Sequence, residues 1–231
     1  MCRHQAWLGE PRTLAALVLD PPFGLLRQSY APRRQARGLV NADGWGVGFF
    51  PAGRDVPVRW RSARPLWGDA SFASVAPVLS TRCLLVAVRS ATLGMPIEET
   101  AVAPFGSGPW LLSHNGRVDR AVLKPESLPE SVCDSAVLAA EIFDLGPERA
   151  GQSVREIAAR DPRAILNLLL TDGTVIVGTT WGDTLCYRVL ADGVMVASEA
   201  ADDEPGWIEV PDRSLLLARP GEVAVSRLEA P

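Results

Sequence analysis

MCRHQAWLG, residues 1–9, sets a cysteine directly behind the initiator methionine. The first residues of a domain usually fray, so a thiol there contributes little to a core. One reading is an accidental cysteine at a disordered tip. The other is chemical: removal of Met1 leaves Cys2 with a free α-amine beside its own thiol. Such an amine has a reference pKa of roughly 7.7–8.0, suited to accepting a proton near neutral pH. Nucleophile and base then share one residue, as in enzymes that pair a nucleophilic side chain with the N-terminal amine. The residues downstream decide between the two.

Outward from that start, HQAWLG reads as a strand, RTLAALVLD as an apolar helical stretch and SYAPRRQARG as a Pro/Arg-rich loop. WGVGFF (45–50) follows the Asp43-Gly44 turn signal as a strand whose glycines allow close backbone approach. VPVRWRS is strand-like, PLWGDASF a loop, and a helix is expected to end in VAPVLS. RCLLVAVRSAT and PWLLSHNGRV share one form, an apolar run that emerges into a polar end, with Ser-His-Asn-Gly at the tip of the second. The period then changes to that of helices. DSAVLAAEIFDLG has an Asp start and a Gly stop, and SVREIAARDP follows. The last third is a meander, with Asp172-Gly173 and Asp192-Gly193 marking hairpins. Trp-Gly-Asp occurs twice, at 67–69 and 181–183, with different flanks, and reads as a turn signature. Strands flanking a central helix pair, with no long linker, predict one α+β layered domain over residues 1–231.

Composition narrows the function classes. The chain has 231 residues, 47% hydrophobic and 22% charged, with a net charge of −4. No basic field invites nucleic acid or an anionic membrane. No apolar run approaches the ~20 residues of a membrane helix, and Arg3, His4, Glu10 and Pro11 interrupt any signal segment. A cytoplasmic location is expected. The four cysteines show no CxxC spacing, and with two histidines no metal site is expected. Cys83, Cys133 and Cys186 read as small buried hydrophobes. GxGxxG and GxxxxGK[ST] are missing, so no cofactor is expected either.

An amide-cleaving thiol needs an oxyanion site and anchors for the rest of the substrate. The Asn115 side-chain amide and the Gly116 N–H can converge on one oxygen, and glycine there lets the backbone approach a ligand. Arg89 can clamp a carboxylate, and Asp134, at a helix start, can accept from an ammonium. Each has an ordinary reading beside it. Asn-Gly is common in turns, Asp134 suits an N-cap, Arg89 suits a surface ion pair, and His114 suits a hydrogen-bonded scaffold.

Taken in order, Cys2, NADGWGVGFF, VAVRSATLG, SHNGRV and CDSAVLAAEI resemble the class II glutamine amidotransferases, which are N-terminal-nucleophile hydrolases. The anchors run from residue 2 to about residue 145. The resemblance implies a four-layer αββα sandwich with antiparallel sheets. It makes Cys2 the nucleophile and assigns the oxyanion hole to Asn115 and Gly116. Arg89 and Thr92 then hold the substrate α-carboxylate, Asp134 and the Gly116 carbonyl hold the α-amine, and His114 belongs to the same substrate-binding set. Many members have glycine after the nucleophile where this chain has Arg3, and RWATHG where it has RSATLG. Those departures, with PLWGDASFASVAPVL and TTWGD…ASE…DDEPGW, are similar to a narrower group, the γ-glutamyl hydrolases of ergothioneine biosynthesis. That resemblance implies hydrolysis of γ-glutamyl-hercynylcysteine sulfoxide to glutamate and hercynylcysteine sulfoxide. The implied partner is this small molecule alone, with no obligatory synthase. A glutaminase subunit feeding ammonia to a separate synthase, and a silent γ-glutamyl-binding module, are the competing expectations. The leaving group so implied carries a trimethylammonium, a group that favours aromatic faces. Trp45, Trp67, Trp110 and Trp181 lie nearest the motifs, and Asp202, Asp203 and Glu204 offer charge. Core packing and a solvated loop are the alternatives for these two sets.

Overall fold

The computed structural model describes residues 2–35, 38 and 40–229. Strand β1 (Arg3–Thr13) is the centre of a seven-stranded sheet. On one side of it lie β4 (Ser80–Val88), β2 (Trp45–Phe49) and β3 (Val58–Ser62). On the other lie β10 (Gly193–Ala197), β9 (Cys186–Leu190) and the short β11 (Ile208–Glu209). The second sheet has six strands in the order β13 (Glu222–Arg227), β12 (Ser214–Arg219), β8 (Ile176–Thr180), β7 (Ile165–Thr171), β6 (Trp110–Arg117) and β5 (Phe105–Ser107). Every pairing is antiparallel.

Alternation along β1 sets the layers, because successive side chains point to opposite faces. Ala6 and Leu8 enter a core shared with Leu111, Leu169, Ile176 and Leu216 of the second sheet. Trp7, between them, joins an outer core with Leu14, Leu17, Leu25, Trp45 and Phe72. That outer layer contains a π-helical turn at Ala15–Leu19, helix α1 (Leu25–Gln28) and helix α2 (Ala70–Val75). On the far side, helices α3 (Asp134–Leu145) and α4 (Ala150–Arg160) cover Leu166, Leu168 and Leu170 of β7. Helices, sheet, sheet, helices: this is the four-layer α+β sandwich that the motifs implied.

Because the first half of β1 is covered on both faces, even Arg3, His4 and Gln5 are buried, and buried polar groups call for partners. His4 Nδ1 meets Ser113 Oγ at 3.2 Å across the layers, and Gln5 Nε2 donates to Leu17 O at 2.7 Å. Arg3 Nε donates to Gln35 Oε1 at 3.1 Å. The glycines of β2 serve close packing as expected: a Cβ on Gly48 would lie 2.6 Å from Leu111 Cδ1 of the facing sheet.

Three expectations change. The stretch RTLAALVLD does not start as a helix, because Arg12 and Thr13 pair with Thr81 and Ser80 to complete β1. The sequence ASF, expected in a loop, opens α2, since Asp69 accepts from Phe72 N at 2.9 Å and starts the helix. Ser-His-Asn-Gly is not a tip. All four residues lie in β6, paired with β7 through Arg117↔Ile165. Both Asp-Gly hairpins stand where expected, between β7 and β8 and between β9 and β10. The Pro/Arg-rich loop has no strand or helix at its described positions, 29–35 and 38, and Met1 lies outside the described residues.

Candidate active site

Cys2 immediately precedes β1, half-buried, at the end of the central strand. It lines a narrow cleft with Arg89, Phe105, His114 and Ser135. Its Sγ lies 3.9 Å from Ser90 O. Burial pushes the thiol pKa up, while the Ser90 backbone and the Arg89 charge pull it down. The resting sulfur is therefore a protonated thiol.

Asn115 lies on the face of β6 that is turned towards the first sheet. Leu111 packs in the same core as Ala6 and Leu8, and Ser113 meets His4. Two residues further along each strand on those same faces are Asn115 and Cys2. Gly116 presents its backbone N–H beside Asn115. Its cross-strand partner Leu166 donates its N–H to Trp181 O at 2.9 Å, away from β6. In an antiparallel pair both residues then turn their N–H groups away from each other, so the Gly116 N–H points away from β7. On that side β5 reaches only Leu112. Val118, two residues on, gives its N–H to Asp134 Oδ2 at 3.2 Å. Glycine is obligatory at 116 on steric grounds: a Cβ would stand 1.9 Å from Ile165 O and 2.6 Å from His114 Nε2.

Arg89 continues β4 and is buried, its Nη1 donating to Pro96 O at 2.9 Å. Asp43 sets its course: Asp43 N donates to Arg89 O at 3.0 Å, and Asp43 Oδ2 accepts from Ala91 N at 2.8 Å. Thr92 and Asp134 line an adjoining cavity of about 400 Å³ with Arg117 and Arg163. His114 and Ser135 line the cleft on the Cys2 side. Both His114 ring nitrogens are engaged, Nδ1 with Ser135 Oγ at 2.9 Å and Nε2 with Ile165 O at 2.8 Å. A carbonyl only accepts, so Nε2 carries the proton and Nδ1 accepts from the serine hydroxyl. Burial lowers the His114 pKa, opposed by Asp134 and the Ile165 carbonyl, which keeps the ring neutral.

Sequence reasoning passed over Asp43, Ser135 and Asp183. Asp43 lies inside the quoted NADG block and Ser135 follows Asp134, but their partners are 48 and 21 residues away. Asp183 Oδ2 accepts from Asn115 Nδ2 at 3.1 Å and stands 3.7 Å from Arg3 Nη1. Of the tryptophans, Trp45 is wholly buried against Phe72, and Trp181 is buried with the Arg213 guanidinium over its ring. Trp110 is half-buried beside the core under α3. Trp67 is exposed, edge-on to Tyr30 at 5.8 Å. Asp202 is paired with Arg188 and Asp203 with Arg33. Cys83, Cys133 and Cys186 are free and buried, as expected. Among the described residues no group of three or more His, Cys, Asp or Glu is arranged to hold a metal ion, and no helix is long and apolar enough to cross a membrane.

Comparison with known proteins bears on this geometry. No family model matches the chain. The γ-glutamyl-hercynylcysteine sulfoxide hydrolase of Mycolicibacterium smegmatis is 59% identical over 228 residues, covering 99% of this chain and 100% of that protein. The protein of the same name from Mycobacterium tuberculosis is 56% identical over 229 residues, covering 99% and 97%. Among solved structures, a glutamine aminotransferase class-II domain protein from Silicibacter pomeroyi superposes with a TM-score of 0.69 at 20% identity, covering 99% of this chain and 100% of that one. The allosteric regulatory enzyme of purine biosynthesis gives 0.75 at 16% identity, covering 99% of this chain and 49% of the other. The structural neighbours share the fold, and the sequence relatives share the whole length at high identity: the chain belongs to the γ-glutamyl-hercynylcysteine sulfoxide hydrolase family, built on the class II glutamine amidotransferase fold.

Proposed function

We propose that this chain hydrolyses the γ-glutamyl amide of γ-glutamyl-hercynylcysteine sulfoxide, releasing glutamate and hercynylcysteine sulfoxide. The full-length relatives carry that substrate in their names. The observation that carries the chemistry is the half-buried Cys2 thiol at the end of the central strand, in one cleft with Arg89 and facing the Asn115 strand. Met1 is removed, and the Cys2 α-amine takes the thiol proton. Sulfur attacks the γ-carbonyl carbon, and the oxyanion is held by Asn115 Nδ2 and the Gly116 N–H. The C–N bond then breaks as the α-ammonium returns a proton to the departing amine, leaving a γ-glutamyl thioester. Water, deprotonated by the same amine, cleaves the thioester. Arg89 and Thr92 hold the substrate α-carboxylate, and Asp134 with the Gly116 carbonyl holds its α-ammonium. His114, whose nitrogens are both engaged, acts by shaping the wall between Cys2 and α3. The enzyme works alone, without cofactor, as one domain. Its four free cysteines suit the reducing cytoplasm.

Glutamate release from γ-glutamyl-hercynylcysteine sulfoxide and from L-glutamine, side by side, tests this. The expected result is strong preference for the sulfoxide, abolished in Cys2→Ala, with an intact mass lacking Met1. Preference for glutamine would instead identify an ammonia-supplying glutaminase. A fully active Cys2→Ala chain would remove the thioester route altogether.

A further inference from the structure

The second Trp-Gly-Asp, read from sequence as a turn, ends beside the oxyanion strand. Trp181–Asp183 lies in the crossover from β8 to β9, and Asn167, the cross-strand partner of Asn115, staples it in place. Asn167 Oδ1 accepts from Trp181 N at 2.9 Å and Asp183 N at 3.1 Å, while its Nδ2 donates to Asp183 O at 2.8 Å. The Asp183 side chain has its own supports. Its Oδ1 accepts from Thr184 N at 2.8 Å, and its Oδ2 accepts from Asn115 Nδ2. Arg3, directly after the nucleophile, brings its guanidinium to 3.7 Å from the same Oδ2, with side-chain exposures of 0% and 4% for the pair.

We infer that Asp183 is a positioning residue for the reaction, holding the Asn115 amide so that its nitrogen, and not its oxygen, faces the developing oxyanion. The inference rests on the reading of Asn115 as an oxyanion donor. A side-chain amide can sit in two orientations related by a flip. Asn115 Oδ1 is buried with no hydrogen-bond partner among the described residues, so nothing on that side selects one. Asp183 does. A carboxylate only accepts, so it takes one N–H of Nδ2 and repels the flipped oxygen. The second N–H of Nδ2 is left for the substrate. Arg3 completes the device. A bare carboxylate behind the donor would oppose negative charge on the substrate oxygen, and the buried guanidinium offsets it. This gives a use to the buried arginine that directly follows Cys2.

The test is a double-mutant cycle on glutamate release from γ-glutamyl-hercynylcysteine sulfoxide. Loss of one oxyanion donor costs about 100-fold or more in kcat, which sets the expectation for Asn115→Ala. Asp183→Ala is expected to lower kcat by a comparable factor with KM within about twofold, since it misorients that same donor. Asp183→Asn keeps the volume and one acceptor oxygen but can itself flip, so a smaller loss, roughly tenfold, is expected. It also carries the comparison if Asp183→Ala does not fold by circular dichroism. In an Asn115→Ala background neither change is expected to lower kcat further. Losses that multiply, or an Asp183→Asn chain whose loss falls on KM alone, would overturn the positioning role while leaving Asn115 as the donor. An Asn115→Ala chain with unchanged kcat would overturn the oxyanion reading itself, and this inference with it.

Discussion

At the scale of single residues, the site is built from atoms whose neighbours leave little choice. Gly116 is the sharpest case, because Ile165 O already occupies the volume a side chain would need. That oxygen is also the acceptor of His114 Nε2–H. A methyl group would therefore separate β6 from β7 and break the bond that orients the histidine. Gly116→Ala is expected to cost about 1–3 kcal/mol of stability, the range for overpacking a tight interior, and most of kcat. Urea denaturation together with glutamate-release kinetics checks it, and an alanine variant of native stability would contradict the packing. His4 is a second case. Buried beneath Cys2 and beside the Arg3 charge, its pKa is lowered to about 3, burial being the larger cause. The unfolded chain, with a histidine near 6.5, binds the extra proton between those values. Stability is thus full above about pH 6.5 and is lost as pH falls towards 3, at roughly 1.4 kcal/mol per pH unit. From pH 7.5 to 5 the loss through His4 alone is about 2 kcal/mol, and His4→Gln is expected to shrink the measured drop by that amount. An identical drop in the variant would assign the acid sensitivity to other groups.

At the scale of elements, the two Trp-Gly-Asp tripeptides show how context assigns a role. Asp69 of the first caps α2 by accepting from Phe72 N. Its removal is expected to cost about 1 kcal/mol, the usual worth of such a cap, without touching kcat. Thermal or urea unfolding of Asp69→Ala, alongside its kinetics, checks both halves. Asp183 of the second caps no helix and instead accepts from Asn115 of β6. Helices α3 and α4 were legible because each repeats its apolar side chains at helical spacing, with Gly146 stopping the first. The longer run of β1 was not legible, since Arg12 and Thr13 are strand only through partners on β4.

For the whole molecule, the consequence of stacking two sheets is that the first residues of the chain become interior. Arg3, His4 and Gln5 carry polar side chains yet are buried, because β1 is central in its sheet and covered on both faces. A thiol at the start of that strand inherits a fixed position that a frayed terminus would not give it. The charged partners of this buried start come from far along the chain, with Asp183 opposite Arg3. Removing one member of a buried ion pair leaves the other uncompensated, which is why Arg3 and the crossover loop form one unit.

The sequence by itself determined the order of the motifs, the hairpin turns and the helical pair, and it singled out Cys2. These depend on spacing within one segment, where side-chain period and turn chemistry act locally. Only the tertiary structure decided that Ser-His-Asn-Gly continues a strand, because Asn-Gly is equally a turn until β7 supplies its partner. Only the fold assigned His114 to Ser135 and Ile165, and Asn115 to Asp183, 68 residues away. Hydrogen bonds between distant segments leave no period in the sequence. They exist because two sheets, packed face to face, bring those atoms within reach.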